Sequence, residues 1–505
     1  MPSKKAIPLT FGSISIAALS VLVACGSNSG TITGGQKGYT NSNLKGTYTF
    51  LALGSESPSS NQYEVGGVLV ADGSGAITGG EQTHSNTVGA HADNLTGTYS
   101  IGSNGLGTIT LQTGDTSIGV NGVETLSVVI LSPSSGLISQ FDTSATSSGT
   151  LDLQTSTAMP TGGYAFSVLA ARVPANTVLA FGGVFNIDNN PSAGNISGAG
   201  SVSDLAQAGA NVMDSTLSGS VSAPDSMGKV TVQLTAGFTG ATINFDGYIT
   251  SATRMQLVEN DAYATSGGTA YGQGTATGSY TTPASFTGPY VFGFNGFNFI
   301  GYGTYAGVIT SDGAGNLSSG LIDQAQGATV ISDTLTGTYT NDGAGSGRIQ
   351  TATNFGSHGA GPTMIFYLAG AGNPIPVLQV DATARSAGTA YVQSSGTPSF
   401  SGAYGIGYST ATLFAGQGDV NGVITASGGA FSGTANENVG FAPATSQSIS
   451  GSFSSGSMGR FTGTVSTNGT SAPCAFYFID STHAILIQTD GNEATWGNIR
   501  QQAAP

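Results

Sequence analysis

The sequence predicts an all-β protein of four tandem antiparallel units, on three grounds. An ordered set of motifs recurs four times, turn dipeptides punctuate short alternating apolar runs, and no segment has the length and period of a crossover helix. The opening motif reads Leu44-Lys-Gly-Thr-Tyr48-Thr-Phe50, then Thr161-Gly-Gly-Tyr164-Ala-Phe166, Thr287-Gly-Pro-Tyr290-Val-Phe292 and Ser401-Gly-Ala-Tyr404-Gly-Ile406. Its tyrosines lie 116, 126 and 114 residues apart. An inner motif follows at Leu95-Thr-Gly97-Thr-Tyr99, Leu217-Ser-Gly219-Ser-Val221, Leu335-Thr-Gly337-Thr-Tyr339 and Ile449-Ser-Gly451-Ser-Phe453. Each unit then closes on a strand ending at Asp142, Asp261, Asp381 or Asp490. A last strand leads to Gln154, Gln273, Gln393 or Gln501.

Within a unit, Asp72-Gly73, Asn104-Gly105, Asn121-Gly122, Asp312-Gly313 and Asp342-Gly343 supply the positive φ angles of tight hairpins. Between them lie alternating runs such as Thr108-Ile-Thr-Leu111 and Leu126-Ser-Val-Val-Ile130. About eight strands per unit, joined by successive hairpins, make an antiparallel meander. An open meander leaves two edges, which proteins blunt with lysine or proline, yet the whole chain has only five lysines. Closure removes the edges, so each unit is expected to be a small eight-stranded up-and-down barrel. An immunoglobulin-like β-sandwich is the alternative, without its Cys and Trp hallmarks. The expected units span 44–156, 157–280, 281–396 and 397–505.

The first residues form three zones. Lys4 and Lys5 give a positive start, and a weakly apolar stretch runs from Ala6 to Ala24, interrupted by Pro8, Gly12 and serines. It is too short and too polar for a membrane span, which needs about 20 predominantly apolar residues. Leu22-Val23-Ala24-Cys25-Gly26 resembles the lipobox of bacterial lipoproteins. That resemblance implies a signal peptide over 1–24 and lipidation of Cys25 as the new N-terminus. Gly26, where inner-membrane retention uses Asp, implies the outer membrane or the cell surface. Residues 25–43 then read as a Gly/Ser/Asn/Thr-rich flexible tether.

Only 7% of residues are charged, and glycine numbers 80. Removing the leader leaves nine basic against 26 acidic residues, a formal charge of −17. Nothing here neutralises a row of phosphates, so nucleic acid is excluded as a partner. Acidic, lysine-poor surfaces do not adsorb to anionic lipid either, which leaves the acyl chains as the membrane attachment. With Cys25 lipidated, Cys474 has no disulfide partner, and its apolar setting predicts a buried thiol.

No constellation supports catalysis, a metal or a cofactor. The histidines are His84, His91, His358 and His483, and a spacing of seven along one strand puts His84 and His91 on opposite faces. No Gly-x-Ser-x-Gly elbow occurs. Asp480-Ser-Thr-His483 reads as a turn, and the Asp-Gly turns as hairpins rather than calcium loops. The segment with most binding character runs from Tyr290 to Tyr305. Tyr290, Phe292 and Phe294 alternate, as do Phe297 and Phe299 beyond an Asn295-Gly296 turn signal. These five either fill a barrel core or line a ligand cavity. Trp496 is placed on the closing strand of unit four.

In layout, the Gly-x-Tyr opening, Asp-Gly turn and inner Gly-Thr-Tyr resemble avidin-like and lipocalin-like barrels. The whole chain is similar to large repeat lipoproteins of soil bacteria such as acidobacteria, a likeness that implies surface exposure and no activity. The expected role is a non-enzymatic surface lipoprotein acting as spacer or adhesin-like array. A binding module for a small apolar molecule or glycan is the alternative, a hydrolase a distant one, and a surface protein or glycan the expected partner. Cys25→Ala is expected to abolish metabolic lipid labelling; labelling that persists in the variant refutes the anchor.

Overall fold

The computed structural model describes residues 38–505, apart from 174–176, 191, 199, 208–210, 238–241, 299–300, 328, 382–383, 395–397 and 413–415. The expected leader, Cys25 and most of the expected tether lie outside these residues. The fold is four closed eight-stranded antiparallel barrels, so the sandwich alternative is excluded. Barrel 1 runs from strand Lys45–Glu56 to Ala145–Leu153, and barrel 2 from Gly162–Arg172 to Ala264–Gly272. Barrel 3 runs from Thr287–Asn298 to Ala384–Val392, and barrel 4 from Gly402–Thr412 to Glu493–Gln501. In each, the first strand pairs with both the second and the last, as in Tyr48↔Leu69 and Tyr48↔Leu153. Barrel 1 breaks its fourth strand into Gly89–Asn94 and Thr96–Ile101, and barrel 2 breaks its third into Ala193–Ile196 and Val202–Ala206.

The recurring motifs have mechanical roles. Alternation turns Tyr48, Phe50 and Ala52 inward, and their counterparts do the same in the other barrels. The opening tyrosine donates to a carbonyl of the turn after the sixth strand: Tyr48 to Pro133 at 2.7 Å, Tyr164 to Ala252 at 2.8 Å, Tyr404 to Ser481 at 2.8 Å. The residue four places earlier plugs three of the barrel ends as Leu44, Phe286 and Phe400, all buried. The inner tyrosine holds that plug, with Tyr99 donating to Leu44 at 2.7 Å and Tyr339 to Phe286 at 2.9 Å. Residues 39–43, expected as the end of the tether, belong to this packing. Tyr39 is buried, and Thr40 caps a short 3₁₀ turn over Asn41–Asn43. The closing Asp residues cap turns, Asp142 accepting Ser144 N at 2.9 Å and Asp261 accepting Tyr263 N at 2.7 Å.

The barrels meet head to tail. The first strands of one barrel pack on the last strands of the next, and barrel 4 packs in the same manner on barrel 1, closing a ring. The repeated glutamine makes each junction. Gln154 Nε2 donates to Met227 O at 2.8 Å and Ile249 O at 2.7 Å. Gln273 reaches Ser346 O at 2.7 Å and Leu368 O at 2.8 Å, and Gln393 reaches Met458 O at 2.9 Å and Phe478 O at 2.8 Å. The fourth clamp is Gln502, donating to Asn104 O at 3.1 Å and Ile130 O at 2.9 Å of barrel 1. Gln501 ends the last strand as expected, and the clamp falls one residue beyond it, where its N–H bonds Ala403 O as Gln393 N bonds Pro289 O.

The first and last of the described residues therefore meet at the fourth junction, where Tyr39 Oη donates to Ala503 O. A circular permutant joining Pro505 to Gly38 and reopened in the linker at Thr281 is expected to keep the parent's single cooperative thermal transition. Loss of that transition refutes the closed ring.

Candidate functional site

A ring of outward-facing side chains surrounds the point where the four barrels meet. The same strand positions recur there. Five residues beyond each opening tyrosine stand Leu53, Leu169, Asn295 and Ser409. At the start of each second strand stand Gln62, Val178, Tyr302 and Gln417. The eighth strands bring Ser148, Gly267 and Trp496, with Ala387 in the matching register of barrel 3. Together with Ser55, Glu64 and Phe297 they bound a pocket of about 410 Å³. That size lies within the range of small-ligand sites. Every repeat contributes, and divergence at equivalent positions gives one aromatic side and one aliphatic side.

Phe297 and Tyr302 pack edge to face, centroids 5.0 Å apart. Asn295 Nδ2 donates to Tyr302 Oη, and burial pushes the Tyr302 phenol up to about 12. Trp496 stands against Gly293 of barrel 3, where any Cβ would collide with the indole. On the opposite side Gln62 bridges barrels 1 and 2, donating to Glu64 Oε1 at 2.7 Å and Leu169 O at 2.9 Å. Glu64 is 2% exposed, its Oε2 has no hydrogen-bond partner, and burial raises its carboxyl well above the usual range. Ser148 and Ser409 lie 2.6 Å apart across the fourth junction. Ser409 and Thr146 both donate to buried Asp419, whose carboxyl burial raises to about 6.

The aromatic residues singled out in the sequence divide between two places. Tyr290, Phe292 and Phe294 point into barrel 3 and pack in its core, Phe294 stacking on Tyr305 at 4.7 Å. Phe297 is outside the barrel, on the axial pocket. Phe299 lies outside the described residues. The Asn295-Gly296 turn is absent because strand Thr287–Asn298 runs straight through it. A continuous strand puts Phe297 on the face opposite Tyr290, Phe292 and Phe294. Each barrel holds a cluster of buried apolar side chains, and the gap among Val168, Phe181, Phe245 and Glu259 in barrel 2 is only about 10 Å³. Sequence reasoning missed Gln62, Glu64 and Gln417; glutamine at the start of the second strand in units one and four was the only signal.

A second polar cluster lies inside the mouth of barrel 1. Tyr63 Oη donates within 2.9 Å of Glu124 Oε1, and Gln82 Nε2 donates to Glu124 Oε2 at 2.5 Å. Burial raises Glu124 to about 7 and lowers His84 to about 4. The expectation that His84 and His91 face apart is corrected. They sit on two strands of one hairpin as register partners, with ring centroids 6.3 Å apart. Among the described residues no group of three or more His, Cys, Asp or Glu is placed to hold a metal. Cys474 is buried, and its thiol is pushed up to about 12, as expected of an inert core cysteine.

No protein-family model matches the chain, and no curated protein matches it. Among solved structures, an intact Ap-TbpB with its N and C lobes aligns over 74% of this chain and 85% of its own, at 9% identity and a TM-score of 0.17. A mutant of the vaccine antigen transferrin-binding protein B from Haemophilus parasuis Hp5 aligns over 75% and 86%, at 9% identity and a TM-score of 0.19. Superposition at this level carries no functional argument.

Glu124 binds its proton more tightly folded than unfolded. Its contribution to stability is therefore present at low pH and lost as pH rises through about 7. Buried His84 and His483 titrate with the opposite sign, so the difference between chains is the readout: relative to Glu124→Gln, the parent is expected to lose about 2–3 kcal/mol of stability between pH 5 and pH 8. A difference that does not change with pH refutes the buried acid.

Proposed function

We propose that the protein is a non-catalytic binding module, a ring anchored to the cell surface through lipidated Cys25, that holds a small ligand in its axial pocket. The observation that carries this reading is the divergence of the pocket wall. The four equivalent positions at each level are not alike (Leu53, Leu169, Asn295 and Ser409 at one, Gln62, Val178, Tyr302 and Gln417 at another), a divergence that a purely structural ring has no need of. The packed barrel interiors direct the binding reading away from the barrels and toward the axis. Phe297, Tyr302 and Trp496 offer flat apolar faces, while Gln62, Asn295, Ser148, Ser409 and Gln417 offer hydrogen-bonding groups. Such a wall suits a small molecule with one apolar face and one polar edge, including a sugar ring. The filled barrels and Ser/Thr-rich outer strands favour the second reading, a spacer or adhesin-like array.

Trp496 is the only tryptophan in the chain, so its fluorescence reports the pocket directly. A binding ligand is expected to shift or quench that emission saturably. Phe297→Ala is expected to weaken binding about tenfold, in line with one lost aromatic contact. A panel of small sugars and aromatic compounds that leaves the emission unchanged refutes the axial site.

A further inference from the structure

The hydrogen-bonding capacity left over in the pocket has a definite polarity. Gln62 commits its amide hydrogens to Glu64 Oε1, Leu169 O and Thr265 O, so it offers the pocket only its oxygen. Gln417 Nε2 donates to Asp419 at 3.0 Å and likewise has Oε1 to spare. Ser409 spends its proton on Asp419, which makes Ser148 the donor in the Ser148–Ser409 pair. Both hydroxyls are then left with lone pairs. Glu64 Oε2 and Ser55 Oγ have no partner at all, although both are buried. Against these acceptors stand two hydroxyl donors, Tyr302, which receives Asn295 and retains its own proton, and Ser55.

Charge points the same way. Glu64 is the one ionisable acid lining the pocket, and no lysine or arginine lines it. The elements packed on Glu64 bring no charge against it. Its register partners are Leu53 and Ser85, and the eighth strand of barrel 2 presents Thr265 and Gly267. Arg385 of barrel 3 occupies the register position that Thr265 holds in barrel 2 and does not line the pocket. Gly267 makes room for the carboxyl: a Cβ there would lie 3.2 Å from Glu64 Oε2 and 2.9 Å from Leu53 Cδ2. Leu53, 37% exposed, is the register partner of Glu64 on the pocket wall.

An acceptor-rich wall, a single unpartnered acid and three aromatic rings are complementary to one chemical class. We infer that the ligand of the axial pocket is a small organic ammonium ion, its N–H groups on Glu64, Gln62, Gln417 and Ser148 and its carbon frame on Phe297, Tyr302 and Trp496. The inference rests on the axial pocket being a binding site and specifies what it selects. Burial favours the protonated form of Glu64, so an ammonium ion that pairs with the carboxylate sends the proton held there to solvent.

The test uses matched pairs differing only in amine against hydroxyl, phenethylamine with 2-phenylethanol and glucosamine with glucose, titrated against the chain from Gly38 to Pro505. Trp496 emission reads affinity, and calorimetry in two buffers of different ionisation enthalpy counts protons. The amine of at least one pair is expected to bind about tenfold tighter than its alcohol and to release protons to the buffer on binding. Glu64→Gln is expected to erase that preference, bringing the amine's affinity to that of its alcohol. Equal or tighter binding of the alcohols, or a preference that survives Glu64→Gln, overturns the inference and leaves the pocket as a neutral-ligand site. Silence of all four compounds overturns the site itself. If Glu64→Gln does not fold, amine binding without proton release overturns the inference in the parent chain.

Discussion

One side-chain amide, repeated four times, sets the geometry of the whole molecule. The glutamine after each closing strand donates both amide hydrogens to two carbonyls of the next barrel, at the loop before its fifth strand and the end of its sixth. The clamp thus satisfies backbone carbonyls of one unit with a side chain of another. A head-to-tail contact of this kind makes an open filament unless the rotation per unit closes. Here four units close it, and Gln502 completes on barrel 1 what Gln154 began on barrel 2.

Around that clamp the junctions are alike in geometry and different in chemistry. Between barrels 2 and 3, Arg348 forks onto Asp204 at 2.7 and 2.8 Å, and Tyr367 donates to the same carboxylate at 2.8 Å. Between barrels 3 and 4, Arg460 and Tyr477 do the same to Asp323. Between barrels 1 and 2, Thr83 stands in the aspartate's place and donates to Asp246, which pairs with Lys229 of its own barrel at 2.8 Å, while the ion pair across the junction is Arg254 to Asp152 at 2.7 Å. The closing junction has no such pair. Leu106 and Val129 replace the cation and the tyrosine, and Asn421 and Asn438 donate to backbone carbonyls of barrel 1. Buried ion pairs discriminate between partners more than they stabilise, because an unmatched charge is costly. The three charged junctions thus discriminate against mismatched neighbours, and the fourth relies on hydroxyl and amide hydrogen bonds beside an apolar patch.

Divergence also explains the pocket. A perfectly fourfold ring would present four copies of one residue at each level of the axis, a symmetric and narrow opening. Substituting Trp496 and Gly267 at matching positions of the eighth strand, and Tyr302 and Gln62 at matching positions of the second, breaks that symmetry. The outcome is a cavity with opposed walls and an unpartnered acid between them.

The sequence by itself determined the repeat, the strands, the hairpin turns and barrel closure. All of these follow from local rules: positive φ at Asp-Gly and Asn-Gly, side-chain alternation, and the edge problem in a lysine-poor chain. It also placed Cys474 and the closing aspartates correctly. Two errors share one cause. The faces of Phe297 and of the His84/His91 pair turn on whether the chain bends between them, and a dipeptide signal or a residue count does not decide that. Strand Thr287–Asn298 runs through Asn295-Gly296, whereas the chain reverses between His84 and His91. Only the tertiary structure decided that the units form a ring and that its axis carries the pocket. Glu64 and Trp496 lie more than four hundred residues apart and share a wall only because barrel 4 returns to barrel 1. Cyclic closure is a property of the rotation between units, summed over four junctions, and no local pattern encodes that sum.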